Sequence, residues 1–144
     1  MVLFFCGILL AIGPHIIITP KSTLSNWKRE FEKWCPTMKV MVFHGTKEER
    51  QSMIKDIIRK HNFEVLITTY EMCLIEKSIL KRIKWVYLII DEGHRIKNEE
   101  SSLSILLREF STQFRLVITG TPLQVFDKES RLWNRIIFMN CGPY

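Results

Sequence analysis

Short apolar runs alternate with helical periods along most of the chain. The runs are apolar at consecutive positions and rich in isoleucine and valine, which is typical of strands buried on both faces of a parallel sheet. They cover residues 15–19, 40–43, 65–68, 87–90 and 116–119. Between them, apolar residues recur at helical spacing in 22–34, 46–60 and 101–110. The alternation predicts an α/β fold, with a mostly parallel sheet flanked by helices.

Length and composition fit one globular domain. The chain has 144 residues, 47% of them hydrophobic, and a net charge of +6. This charge permits a polyanionic partner without requiring one. The apolar start, residues 2–12, is too short to span a membrane and has no basic residue before it. We therefore expect it to be a buried helix or strand, and we expect no membrane association.

Two adjacent carboxylates follow the fourth apolar run. Because ligands gather at the carboxyl ends of strands in α/β sheets, Asp91, Glu92 and the nearby His94 are candidates for chemistry. Four apolar residues before Asp-Glu resemble a Walker B segment, whose Asp holds Mg²⁺ through water and whose Glu activates the attacking water. The alternative is an acidic end of a surface strand. A second turn, residues 119–122, follows the next apolar run and favours the functional interpretation.

Four segments carry a resemblance to one family. Residues 13–27, 67–72, 91–98 and 116–124 are similar, in this order, to motifs Ia, Ib, II and III of the Swi/Snf-related chromatin-remodelling ATPases in helicase superfamily two. The amino-acid sequences of these motifs are most similar to those of the imitation-switch (ISWI) class, although Gly93 stands where that class mostly has alanine. The resemblance implies a single partial RecA-like lobe over 1–144, with the family match at about 13–124 and divergent ends.

The resemblance also implies an activity and a nucleotide site. Members of this family hydrolyse ATP with Mg²⁺, translocate along duplex DNA and move nucleosomes in the nucleus, and remodeller subunits are among the expected partners. By this resemblance Asp91 binds Mg²⁺ and Glu92 activates water. His94 then couples hydrolysis to the third motif, whose residues at ATP are Thr119, Gly120 and Thr121.

A DNA-contacting set follows from the same resemblance. Its members lie at the ends of the first and third apolar runs, and they are Pro20, Lys21, Ser22, Thr69 and Tyr70. Lysines, hydroxyls and exposed main-chain amides make phosphate contacts that carry no base code, as a translocase requires. For Lys21 the alternative is a solvated lysine that opens a helix. The aromatic stripe Trp27, Phe31 and Trp34 predicts a core face rather than a base-stacking platform.

The sequence departs from the family at its first motif. No segment fits the P-loop pattern G-x-x-x-x-G-K-[ST], and the Lys21-Ser22 pair follows Pro20, which has no amide hydrogen for a phosphate. We expect that the chain begins after the P-loop, lacks the second lobe and hydrolyses ATP poorly by itself. Two alternatives stay open: a non-catalytic remnant that binds DNA or a remodeller partner, and a truncated product that does not fold.

Overall fold

The structure of the chain is a computed structural model, which describes residues 13–60, 62–96, 98, 100–119 and 136–140. The expected helix or strand at residues 2–12 lies outside the described residues. So do Gly120 and Thr121 of the candidate site.

In the described part of the chain, six parallel strands form one sheet. They are β1 (His15–Thr19), β2 (Val40–Phe43), β3 (Val65–Thr69), β4 (Trp85–Asp91), β5 (Thr112–Thr119) and β6 (Ile136–Asn140). Their order is β2-β3-β1-β4-β5-β6, and every pairing is parallel. The expected parallel sheet is confirmed, and the carboxyl ends of its strands meet at one edge.

The described helices connect these strands. They are α1 (Leu24–Trp34), α2 (Lys47–Lys60), α3 (Tyr70–Ile75), α4 (Lys77–Leu80) and α5 (Ser102–Glu109), with 3-10 turns at Lys21–Thr23 and Gly93–Ile96. The three predicted helices are present, and α3 and α4 were not predicted. A capping box begins α2, since the Thr46 amide donates to Glu49 Oε2 at 2.7 Å and the Glu49 amide to Thr46 Oγ1 at 3.4 Å.

Apolar clusters cover both faces of the sheet. Along β1, Ile16 and Ile18 belong to one cluster and Ile17 to the other, as alternate positions of a strand require. The first cluster includes Leu106 of α5, and the second includes Phe31 of α1. Helices therefore pack on both sides, which explains why the strands are apolar at consecutive positions.

The aromatic stripe of α1 is only partly buried. Trp27 is 2% exposed and Phe31 is fully buried, so both belong to the core as expected. Trp34 is 40% exposed, and the prediction of a core position was wrong for this residue because it lies in the last turn of the helix, where its indole donates to Glu30.

No helix within the described residues is long and apolar enough to cross a membrane.

Candidate functional site

The strand β4 ends in a sharp bend that we call the acidic turn, Asp91–Gly93. Asp91 is the last residue of the strand, and Glu92 has a φ of 59°, a left-handed conformation that is uncommon outside glycine. Gly93 packs so closely on β5 that an added Cβ would lie 2.2 Å from Val117 Cγ1. The turn is therefore held tightly against the neighbouring strand.

The Asp91 carboxylate is anchored by two donors. The Thr19 hydroxyl and the Trp27 indole N–H each donate to Asp91 Oδ2 at 2.8 Å. Thr19 is within reach because β1 lies beside β4 in parallel, so their carboxyl ends are neighbours. Among the described residues, none donates a hydrogen bond to Oδ1. Oδ2 is thus held by two donors, while Oδ1 has none within the described part of the chain.

The same threonine connects Asp91 to the segment between β1 and α1. We call this segment, Pro20–Thr23, the β1–α1 turn. The hydroxyls of Thr19 and Thr23 are in contact, and the amide of Thr23 donates to the Pro20 carbonyl at 3.0 Å. Because the Thr23 hydroxyl has a single proton, it donates either to the Thr19 hydroxyl or to the Pro20 carbonyl, which is also 3.0 Å away. The side chains of Lys21 and Ser22 on this turn are exposed. A ligand that contacts Lys21 or Ser22 would therefore lie next to Thr23, which is connected to Asp91 through the Thr19 hydroxyl.

Tyr70 supports the backbone of the acidic turn. Its buried hydroxyl donates to the Asp91 carbonyl and lies 3.4 Å from the Glu92 carbonyl. The guanidinium of Arg95 lies 5.6 Å from the centroid of its ring. Burial, with the charge of Asp91 as a smaller cause, raises the pKa of Tyr70 well above its usual value of 10.0, against the opposing effect of Arg95. The hydroxyl therefore remains a donor at neutral pH.

Glu92 and His94 form a pair at the surface. Glu92 Oε2 lies 3.2 Å from His94 Nδ1, with side chains that are 45% and 58% exposed. On the next strand, Asp91 is in register with Ile118, so Thr119 lies at the same edge of the sheet. The structure thus brings the three predicted residues Asp91, Glu92 and His94 together, with the end of β5 beside them.

The residues predicted to lie along DNA are also neighbours, but they differ in accessibility. Thr19 is in register with Thr69, so the β1–α1 turn adjoins the start of α3. Thr69 is buried and its hydroxyl caps α3 by accepting from the Met72 amide at 3.3 Å. The side chain of Tyr70 is committed to the acidic turn. The exposed Lys21 and Ser22 are therefore better placed for phosphate contacts, and the DNA role of all five residues stays a prediction.

Sequence reasoning missed the contacts that Thr19 and Trp27 make with Asp91. Trp27 was predicted as core, which is confirmed, but a buried indole also needs an acceptor for its N–H. That requirement was the one available signal. It indicates that an acceptor exists, but it does not identify a carboxylate on another strand.

The carboxylates of the acidic turn are suited to one mode of metal binding. Within the part of the chain that the structure describes, no group of three His, Cys, Asp or Glu side chains could hold a metal ion by itself. Mg²⁺ at nucleotide sites is usually held by one or two carboxylates together with waters and substrate phosphates. Asp91, whose Oδ1 receives no hydrogen bond from the residues that the structure describes, fits this mode together with the adjacent Glu92.

The raised pKa of Tyr70 predicts a loss of stability in alkali. Since its folded pKa lies above the unfolded value of 10.0, its contribution to the free energy of unfolding is complete below pH 10 and is lost as the pH rises further. Tyr70→Phe should make that decline shallower by up to about 1.4 kcal/mol per pH unit, measured by urea unfolding at pH 8–11.

A second buried group separates the two contributions to this decline. Burial also raises the pKa of the Cys73 thiol from its usual 9.0, so a decline that starts near pH 9 should persist in Tyr70→Phe and be lost in Cys73→Ala. Identical pH profiles for the wild type and Tyr70→Phe would contradict the assignment of the buried hydroxyl.

The sheet and the acidic turn at its carboxyl edge define a RecA-like helicase lobe. Among solved structures, the fold is similar to the Sulfolobus solfataricus SWI2/SNF2 ATPase core in complex with dsDNA, with a TM-score of 0.73 and 30% sequence identity. The match covers 92% of this chain and 27% of that one.

The particular family follows from sequence comparison. The SNF2-related domain family model matches residues 9–144, and the chain belongs to this family. The chain is 52% identical over 127 residues to the ISWI chromatin-remodeling complex ATPase ISW2 of Saccharomyces cerevisiae, a match that covers 88% of this chain and 11% of that protein. It is 46% identical over 127 residues to the human SWI/SNF-related matrix-associated actin-dependent regulator of chromatin subfamily A member 1, with 88% and 12% covered. The expected relationship is confirmed, and the chain spans little more than a tenth of these relatives.

Proposed function

We propose that the chain serves as part of an ATP-dependent chromatin remodeller, a DNA-translocating ATPase that moves nucleosomes in the nucleus. The observation that carries this proposal is the hydrogen bond from Thr19 to Asp91, which joins the end of the candidate DNA segment to the candidate nucleotide site. Two relatives named as chromatin regulators, one of them an ATPase, and a similar ATPase core solved with dsDNA support it. Nucleosomal DNA and remodeller subunits are the proposed partners.

At the nucleotide site, the proposed roles follow from the positions of the side chains. Asp91 would hold hydrated Mg²⁺ through Oδ1, since Oδ2 is occupied by two donors. Bound with ATP, Mg²⁺ supplies neutralising charge to the phosphates. Glu92 would accept the proton of the attacking water, with His94 fixing the orientation of its carboxylate. Thr119, Gly120 and Thr121 of the third motif would lie at ATP, and His94 would couple hydrolysis to them.

The chain alone is expected to hydrolyse ATP poorly. Successive amides and a lysine of a P-loop surround the phosphates, and no segment of these 144 residues fits that pattern. Without these groups the nucleotide loses most of its binding energy and its main neutralising charges, so the carboxylates of Asp91 and Glu92 have little to act on. We therefore propose that the acidic turn functions only together with a phosphate cradle that this sequence does not contain.

DNA binding by the β1–α1 turn is tested by salt titration. The logarithm of the affinity for duplex DNA should fall linearly with the logarithm of the salt concentration, by about 0.9 for each phosphate contact. Lys21→Ala should reduce the steepness of this slope by about 0.9, the value for one phosphate contact. Fluorescence anisotropy with several duplex sequences measures it.

A matched lysine lies at the opposite edge of the sheet. Lys84 is exposed and precedes β4, so it stands at the amino end of the strand whose carboxyl end carries Asp91. Lys84→Ala should leave the slope unchanged. Equal effects of the two substitutions, or affinity that does not depend on salt, would count against a DNA contact at the β1–α1 turn.

A further inference from the structure

We propose that Trp27 is a positioning residue that links the β1–α1 turn to the Asp91 carboxylate, so that a ligand on the turn changes the geometry of the acidic turn. The inference rests on the proposed function, since it assigns DNA to one end of the link and nucleotide to the other. Its basis is the hydrogen bond of 2.8 Å from the Trp27 indole to Asp91 Oδ2.

The direction of this hydrogen bond is fixed by the core. The Trp27 ring is 2% exposed and stacks on Phe31, with centroids 6.3 Å apart and planes at 29°. A ring packed in this way cannot turn without moving α1, so its N–H points where the helix places it. A hydrogen bond to a carboxylate is also stronger than one between neutral groups. The position of α1 therefore sets the orientation of the Asp91 side chain.

The proposed DNA contact lies directly before α1. Lys21 and Ser22 belong to the 3-10 turn Lys21–Thr23 that leads directly into the helix, and Trp27 lies one helical turn after Thr23. The Thr19 hydroxyl contacts both the Thr23 hydroxyl and Asp91 Oδ2. A displacement of the β1–α1 turn therefore reaches Oδ2 through both of its donors. With Oδ2 redirected, Oδ1 changes its direction towards the ligand side.

The hydrogen bond itself is tested without any ligand. In ¹⁵N–¹H spectra of the chain, Asp91→Asn should move the Trp27 indole resonance and speed its hydrogen exchange by about tenfold, because a charged acceptor is lost. The indole of Trp85 is an internal control, since it donates to the Leu80 carbonyl at 3.0 Å at the other end of β4. A Trp27 resonance that neither moves nor exchanges faster in Asp91→Asn would overturn the proposal.

The link is tested by adding duplex DNA. In the wild type, DNA should shift both the Trp27 indole and the Glu92 backbone amide. Trp27→Phe keeps an aromatic ring in the core and should retain the DNA affinity, while the shift of the Glu92 amide should fall by at least half, since only the Thr19 donor remains. Trp85→Phe, the matched control, should retain both the DNA affinity and the full shift of the Glu92 amide. If Trp27→Phe does not melt cooperatively, Thr19→Val removes the other donor instead and should at least halve the Glu92 shift by the same reasoning.

The outcomes separate this inference from the proposed function. A Glu92 shift of the same size in the wild type and in Trp27→Phe would overturn the link and leave DNA binding intact. Absence of DNA binding by the wild type would overturn the DNA part of the proposed function and the response to DNA together. In that case the indole resonance in Asp91→Asn still decides whether Trp27 positions the carboxylate.

Discussion

Replacing Arg115 by methionine is expected to lower the free energy of unfolding by about 2–4 kcal/mol. The guanidinium donates to the carbonyl oxygens of Leu107, Arg108 and Phe110 at 2.6, 3.2 and 3.0 Å. The last carbonyls of a helix have no partner within the helix, so Arg115 satisfies the end of α5 from the neighbouring strand. Methionine retains the aliphatic stem but leaves these half-buried acceptors without their donor.

Urea unfolding of Arg115→Met measures this effect, and Arg82→Met is the matched control. Arg82 is exposed in the turn before β4, so its replacement should change the free energy of unfolding by less than about 0.5 kcal/mol. Equal stability of the two variants would contradict the role assigned to Arg115.

Gly93→Ala is expected to destabilise the chain by about 1–3 kcal/mol through overpacking. The added methyl group would lie 2.2 Å from Val117 Cγ1, and Val117 is itself fully buried. Either the valine or the acidic turn must move. Because the turn carries Glu92 and is hydrogen-bonded to Tyr70, its displacement should also shift the Glu92 amide resonance in ¹⁵N–¹H spectra.

A double-mutant cycle with Val117→Ala isolates this contact. Val117→Ala costs stability alone because it leaves a cavity, but the methyl group that Gly93→Ala adds occupies part of that space. The cost of Gly93→Ala should therefore fall close to zero in the Val117→Ala background. Additive costs would show that the added methyl group and the Val117 side chain do not compete for the same space.

The strands that could be predicted are those whose burial follows from consecutive residues. Ile16, Ile17 and Ile18 contact the clusters on both faces, so their pattern alone identifies a buried strand. The first part of β5 was missed because polar residues interrupt its pattern. One of these is Arg115, whose guanidinium donates to a carbonyl at the end of α5. This contact between a strand residue and a helix end cannot be predicted from the local sequence.

The two unpredicted helices depend on contacts between distant residues. α3 begins where the Thr69 hydroxyl accepts a hydrogen bond from the Met72 amide. A threonine in this position is a common N-cap, so the local sequence could have predicted the start of this helix. The junction of α3 and α4 is held differently. Arg50 of α2 pairs with Glu76 at 2.9 Å in a largely buried position. A pairing across 26 residues cannot be inferred from helical spacing.

The candidate site shows the same division. Asp91, Glu92 and His94 are close in sequence, so a strand followed by two carboxylates was enough to find them. The partners of Asp91 are separated from it by 72 residues for Thr19 and 64 for Trp27. Their contacts depend on the order of β1 and β4 in the sheet and on the packing of α1. Sequence patterning predicts neither with enough precision to place a hydrogen bond.

We propose that the acidic turn is an ATPase element whose phosphate cradle is not contained in these 144 residues. This proposal is tested by equilibrium binding of a fluorescent ATP analogue to the purified chain, with Mg²⁺ or EDTA and with Asp91→Asn as the control. For a chain that melts cooperatively, we predict no saturable Mg²⁺-dependent binding, and no ATP turnover above that of Asp91→Asn. Saturable binding that requires Mg²⁺ and is weakened by Asp91→Asn would contradict the claim, because it would show a complete nucleotide site without a P-loop.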